Sequence, residues 1–181
     1  FGTTYNAYLI LGQDENVLVD TVHLDFYDRM KKNIEEIVPF SSIKHLVLNH
    51  AELDHSGSVG RMLSELPNLT MVCTARCRNV FDKYFGVRNN YHIVKTGNEI
   101  KVDGKTLVFV EAQMLHWPDS MFTYIREDSV LLPNDAFGQH IASSGRFADM
   151  YDPFFVYGEA RKYYANILTL YSDFIPKKVD E

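Results

Sequence analysis

At 181 residues the chain fits a single domain, and its 46% apolar and 23% charged content describes a chain that folds rather than a disordered segment. Its 24 acidic and 18 basic side chains leave a net charge of −6, which speaks against a dedicated nucleic-acid binder, whose basic face must displace counterions. No apolar run reaches the roughly 18 residues of a membrane span, so no membrane partner is expected.

The apolar pattern predicts strands over residues 4–11 and 17–21, joined as a hairpin by Gly12-Gln13-Asp14-Glu15-Asn16. A helix is predicted over 23–38, where Phe26, Met30, Ile34 and Ile37 recur at helical spacing and Pro39 marks the end. A compact apolar strand over 43–49 leads to a helix over 56–66. There Val59, Met62, Leu63 and Leu66 share a face, Ser56 is a candidate N-cap and Pro67 is the stop. A strand over 69–73 and a helix over 75–85 follow. The pattern then turns mainly β, with strands over 91–95, 99–102 and 105–112, the last two joined by the hairpin dipeptide Asp103-Gly104. Residues 121–126 and 129–133 read as a further hairpin around Glu127-Asp128. After an irregular stretch over 134–152, a helix over 159–175 carries Tyr164, Ile167, Leu168, Tyr171, Phe174 and Ile175 as its apolar stripe. Hairpins argue against a purely parallel sheet and helices against a plain β-sandwich, so a mixed α+β arrangement with helices packed outside is expected.

The chain starts at Phe1, straight into a strand pattern, and the last helical pattern runs into Lys177-Lys178-Val179-Asp180-Glu181. A fragment or a trimmed chain is expected from these ends. Cys73 and Cys77 lie four apart. With no second pair to complete a zinc site, they read as buried, reduced thiols of a cytoplasmic protein.

The informative segment is Asn49-His50-Ala51-Glu52-Leu53-Asp54-His55-Ser56-Gly57, where four metal-competent side chains fall within six residues at a strand-to-helix junction. In an extended stretch His50, Glu52 and Asp54 would point to one side, and His55 would join them if the chain turned at Ser56-Gly57. One such residue alone is ordinarily a cap or a solvated group. Together they would be expensive to bury without a cation. His116 and Asp135 also sit just beyond predicted strands, where sheet ends can converge. His23, His45 and His92 show no clustering, and His140 is a candidate outer partner because it lies near Asp135 in sequence. Six nitrogen and oxygen ligands are too many for one tetrahedral zinc and suit a pair of metals bridged by a carboxylate; zinc, manganese and iron are all compatible.

His50-x-Glu52-x-Asp54-His55 resembles the metal motif of the flavodiiron proteins, a branch of the metallo-β-lactamase superfamily whose zinc hydrolases carry His at the position of Glu52. Residues 2–10, Met114-Leu115-His116-Trp117-Pro118-Asp119-Ser120-Met121, Asn134-Asp135-Ala136-Phe137-Gly138-Gln139-His140 and residues 161–168 resemble the same family, in one register along the chain. The resemblance implies an αββα sandwich over residues 1–181, incomplete at both ends. It also implies a non-haem di-iron centre that reduces dioxygen to water, nitric oxide to nitrous oxide, or both. By the family pattern His50, Glu52 and His116 hold one iron, Asp54 and His55 belong to the second, and Asp135 bridges them. Replacing imidazole by carboxylate at Glu52 should favour the ferric state. The family has a further His ligand on a later strand, whereas no His follows His140 here. It also carries FMN in a flavodoxin-like domain, whose phosphate loop has no counterpart in this sequence. A rubredoxin-type or other reduced donor and a head-to-tail homodimer are implied for the full-length form. A zinc-dependent hydrolase and a non-catalytic partner module are the alternative readings.

Overall fold

In the computed structural model, which describes residues 6–86 and 90–180, two β-sheets stack face to face with helices on both outer sides. The first sheet contains β1 (Tyr8–Ile10), β2 (Asn16–Val19), β3 (Ile43–Val47), β4 (Thr70–Cys73) and β5 (Tyr91–Ile93), in that order. β1 pairs antiparallel with β2, and β2 to β5 run parallel. The second sheet is an antiparallel meander of β6 (Glu99–Val102), β7 (Lys105–Glu111), β8 (Met121–Ile125) and β9 (Val130–Leu132).

Side-chain alternation builds three layers of core from these strands. Val17, Val19, Val47 and Val72 point into the sandwich, where they meet Leu107, Phe109, Met121 and Ile125 of the second sheet. Their neighbours Leu18, Leu46, Met71 and Cys73 point the other way. That outer face is covered by α1 (Tyr27–Glu35), α3 (Val59–Glu65) and α4 (Ala75–Phe85), which contribute Tyr27, Met30, Ile34, Val59, Met62, Cys77 and Phe81. On the far side Ala112, Phe122 and Ala136 pack against Tyr163 and Leu168. These belong to α5 (Pro153–Tyr163) and its π-helical continuation Tyr164–Leu168. Each fully buried aliphatic side chain contributes about 1.5–3 kcal/mol, so the sandwich is held mainly by apolar burial.

The predicted strands and hairpins are present. The 103–104 turn places both residues at positive φ, 45° for Asp103 and 85° for Gly104, as a tight hairpin requires. Residues 4 and 5 of the first predicted strand lie outside the described residues. Three predicted elements differ. The helix over 23–38 begins as a 3-10 turn, Leu24–Phe26, before α1. The helix over 56–66 is two pieces, α2 (Leu53–Ser56) and α3, and Ser56 is not its cap: its hydroxyl donates to the Ala51 carbonyl at 2.7 Å. The last helix starts at Pro153, earlier than its apolar stripe suggested, because Asp152 caps it by accepting from the Phe154 amide at 2.7 Å. Beyond Leu168 it tightens to a 3-10 stretch, Thr169–Phe174, before α6 (Ile175–Val179). This change of winding leaves Tyr164 and Phe174 exposed while Leu168 is buried. Cys73 and Cys77 are both buried and free, Cys73 at the end of a strand and Cys77 on a helix. Among the described residues no helix is long and apolar enough to cross a membrane.

Candidate metal centre

The carboxy-terminal ends of β2, β3, β7 and β9 open at one end of the sandwich, and each exit carries a functional side chain. β3 runs through Asn49 into His50 and Glu52. The chain then turns at Glu52, whose backbone is still extended (φ −60°, ψ 146°), into the single helical turn α2 that holds Asp54 and His55. His116 lies between β7 and β8, and Asp135 follows β9. Asp20 and Asn134 at these exits adopt positive φ, 57° and 49°, a backbone state that carries strain and clusters at functional sites.

Six predicted ligands converge as two groups that share Asp135. The first contains His50, Glu52, His116 and Asp135; the second contains Asp54, His55 and Asp135. In the first, His50 Nε2 lies 3.3 Å from Glu52 Oε2 and 3.4 Å from Asp135 Oδ2. His116 Nε2 lies 3.6 and 3.2 Å from the same two oxygens. In the second, His55 Nε2 is 2.8 Å from Asp135 Oδ1 and 3.7 Å from Asp54 Oδ2. The simple alternation expected for His50, Glu52 and Asp54 is therefore corrected. The helical turn carries Asp54 away from the first group and sets it beside His55.

The turn forms because its buried backbone groups find partners. The Ala51 amide donates to Asp119 Oδ2 at 2.7 Å, and the His55 carbonyl accepts from both the Thr21 amide and its hydroxyl, each at 2.7 Å. Each buried ligand imidazole is also oriented from behind. Asp119 Oδ2 lies 3.2 Å from His50 Nδ1, and Asp20 Oδ2 lies 3.2 Å from His55 Nδ1. This leaves both Nε2 atoms facing the shared carboxylate, the carboxylate–histidine arrangement that fixes ring orientation at metal sites. Asp20 and Asp119 were missed in the sequence. Their signals were weak: a carboxylate directly after the buried Val17-Leu18-Val19 run, and another three residues after His116. His140 does not serve as an outer partner. It is exposed, and its ring rests 5.1 Å from that of Tyr163.

Electrostatics follow from this crowding. Burial pulls the His50 pKa down, but Asp119 and Glu52 outweigh it and raise the value to about 9. His55 rises to about 11 because Asp135 and Asp20 overcome the same burial. Burial would raise Asp135, yet His116 and His55 hold it well below the carboxylate range. Glu52 is lowered chiefly by its bond to His50, and Asp54 is raised by burial. Asp54 Oδ1 is buried without a hydrogen-bond partner among the described residues, and Asp135 Oδ2, though it faces His50 and His116, accepts no well-directed hydrogen bond. Stranded acceptors of this kind are costly. Nitrogen and oxygen donors with unsatisfied carboxylate lone pairs fit hard or borderline divalent cations, iron among them. The sole tryptophan, Trp117, stands beside the site, its ring 5.0 Å from that of His50 and nearly perpendicular to it.

Residues 3–167 match the family described as ODP family beta lactamase. The chain is 46% identical to a nitric oxide reductase of Moorella thermoacetica, over 99% of this chain and 45% of that protein. It is 40% identical to an anaerobic nitric oxide reductase flavorubredoxin of Klebsiella pneumoniae, over 99% and 38%. It thus spans less than half the length of these relatives. Among solved structures, rubredoxin oxygen:oxidoreductase from Desulfovibrio gigas superimposes with a TM-score of 0.94 at 32% identity, covering 99% of this chain and 45% of that one. The flavodiiron protein of Giardia intestinalis gives the same TM-score at 37% identity, covering 99% and 44%. With the match, the sandwich and the sequence relatives in agreement, the chain belongs to the ODP family of β-lactamase-like domains, the metallo-β-lactamase-fold unit of flavodiiron proteins.

Proposed function

We infer that residues 1–181 are the di-iron domain of an oxidoreductase that reduces nitric oxide to nitrous oxide, dioxygen to water, or both. The observation that carries this reading is the pair of ligand groups joined by one carboxylate, Asp135. His50, Glu52 and His116 would hold one iron, Asp54 and His55 the second, and Asp135 would bridge them. The bound irons would supply the electrons and open coordination positions that reduction of a diatomic gas requires. The protein's part is positioning. Asp119 and Asp20 aim His50 and His55, Trp117 stands beside His50, and half-exposed Glu52 and Asp54 leave the mouth open to a small molecule. Both gases enter the proposal because the relatives include nitric oxide reductases and a rubredoxin oxygen:oxidoreductase.

The names of those relatives also support FMN on a flavodoxin-like domain outside these residues and a rubredoxin-type electron donor. A head-to-tail dimer would bring the flavin to the irons. Two buried free cysteines fit a reducing, cytoplasmic setting. Metal analysis of the parent protein grown with ample iron, combined with anaerobic gas-consumption assays, tests the reading. About two irons per chain and consumption of nitric oxide or dioxygen are expected. Stoichiometric zinc with Glu52-dependent ester or lactam hydrolysis would overturn it.

A further inference from the structure

No β-ladder joins the two sheets among the described residues, yet the first ligand group draws His50 and Glu52 from one sheet and His116 and Asp135 from the other. The separation of the sheets at this rim therefore sets the dimensions of the site. Asn49, 1% exposed and directly before His50, has every polar group paired, and three of them reach across that gap. Its Nδ2 donates to the Leu132 carbonyl at 3.0 Å, at the end of β9 and three residues before Asp135. Its Oδ1 accepts from the Thr123 hydroxyl at 2.7 Å, in the middle of β8. Its carbonyl accepts from the Met121 amide at 2.8 Å. Its amide donates to Asp20 Oδ1 at 2.7 Å, whose other oxygen faces His55.

The chain of contacts continues to the bridging carboxylate. The Met121 carbonyl accepts from Asn134 Nδ2 at 2.8 Å, and Asn134 Oδ1 accepts from the Asp135 amide at 2.6 Å. We propose that Asn49 is a positioning residue for the metal centre: a hydrogen-bonded brace that sets where Asp135 stands relative to His50 and His55. The chemistry selects asparagine. Leu132 needs a donor and Thr123 needs an acceptor, and a primary amide offers both on one short, rigid side chain. Aspartate keeps the acceptor but turns a lone pair toward the Leu132 carbonyl. Because every partner is buried, a broken tie strands its mate rather than passing it to water.

This inference rests on the metal-binding reading, and the experiment separates the two. Co(II) alone is titrated into the metal-free full chain, following its ligand-field absorption and Trp117 fluorescence. Asn49→Asp and Thr123→Val, each near-isosteric, break the brace from its two sides. Thr106→Val removes a comparable hydroxyl bond, to Glu127 Oε1 at 2.7 Å, elsewhere on the second sheet. The brace variants are expected to weaken Co(II) binding about 10-fold or more, the range of outer partners, and to shift the ligand-field bands. Thr106→Val should lower the melting temperature while leaving affinity and bands unchanged. Should Asn49→Asp fail to fold, Thr123→Val carries the test. Wild-type affinity and bands in the folded brace variants would overturn the brace alone, whereas a wild-type chain that takes up no Co(II) would overturn the metal-site reading itself.

Discussion

The two ligand groups share a carboxylate but are built in different ways. The first spans the sandwich: its four ligands leave three strand exits on two sheets. The second is nearly local, since two of its three ligands are neighbours on the single turn α2. A group assembled across sheets depends on long-range packing, whereas one assembled on a turn depends on the hydrogen bonds that shape that turn. Each group keeps one buried carboxylate oxygen without a hydrogen bond among the described residues, Asp135 Oδ2 facing the first and Asp54 Oδ1 in the second, and the second offers three candidate ligand atoms against four.

Removing what the groups share should have the largest effect. Asp135→Asn is expected to cost more than about 100-fold in affinity at both groups, beyond the range of an outer partner, as read by metal content and calorimetric titration. Retention of either metal would contradict the shared role.

Substitutions confined to one group sharpen the contrast. His116→Ala should abolish binding at the first group and spare the second; Asp54→Asn should do the reverse. A titration that falls from two phases to one in each case checks both. Further out, Asp119→Asn should weaken the first group and Asp20→Asn the second, each by about 10–100-fold. Crossed effects would show that the groups do not act separately.

The smallest effects concern the metal-free chain. The His50 and His55 pKa values, about 9 and about 11, lie above the ordinary imidazole value of 6.5. Folding therefore favours their protonated forms. That stabilisation is present in full below about pH 6.5 and is lost as pH rises through the two folded values. The melting temperature should fall across this alkaline window, and a flat profile by scanning calorimetry would contradict the sign. Asp54 shifts in the same direction, in a lower pH window. Its pKa is raised by burial, so its ionised form costs stability at neutral pH. Asp54→Asn should raise the metal-free melting temperature slightly, by about 2 °C, where loss of a useful ion pair would lower it.

Strands could be read from the sequence because their signal is local. Val17, Val19, Val47 and Val72 alternate with their neighbours between two buried faces, and Asp103-Gly104 has one good use. The candidate ligands stood out in the sequence for a similar reason: carboxylates and imidazoles this close together are costly to bury without a cation. The π and 3-10 winding after Tyr163 was not legible, because an apolar stripe records which residues are buried and not how tightly the backbone is wound. The turn at Glu52 was also hidden. Nothing within residues 50–56 distinguishes extended from helical until Thr21 and Asp119 arrive to bind their backbone.

The sequence by itself determined the donor types, the family and the order of the strands, since these reside in residue identity and short-range pattern. Only the tertiary structure decided by what turn and at what distances the two groups meet at Asp135, and which carboxylates stand behind which imidazoles. Asp119 is 69 residues from His50 and Asp20 is 35 from His55. Contacts at such separations exist only after two sheets have closed over a common apolar core, because no local preference can meet the entropy of bringing those segments together.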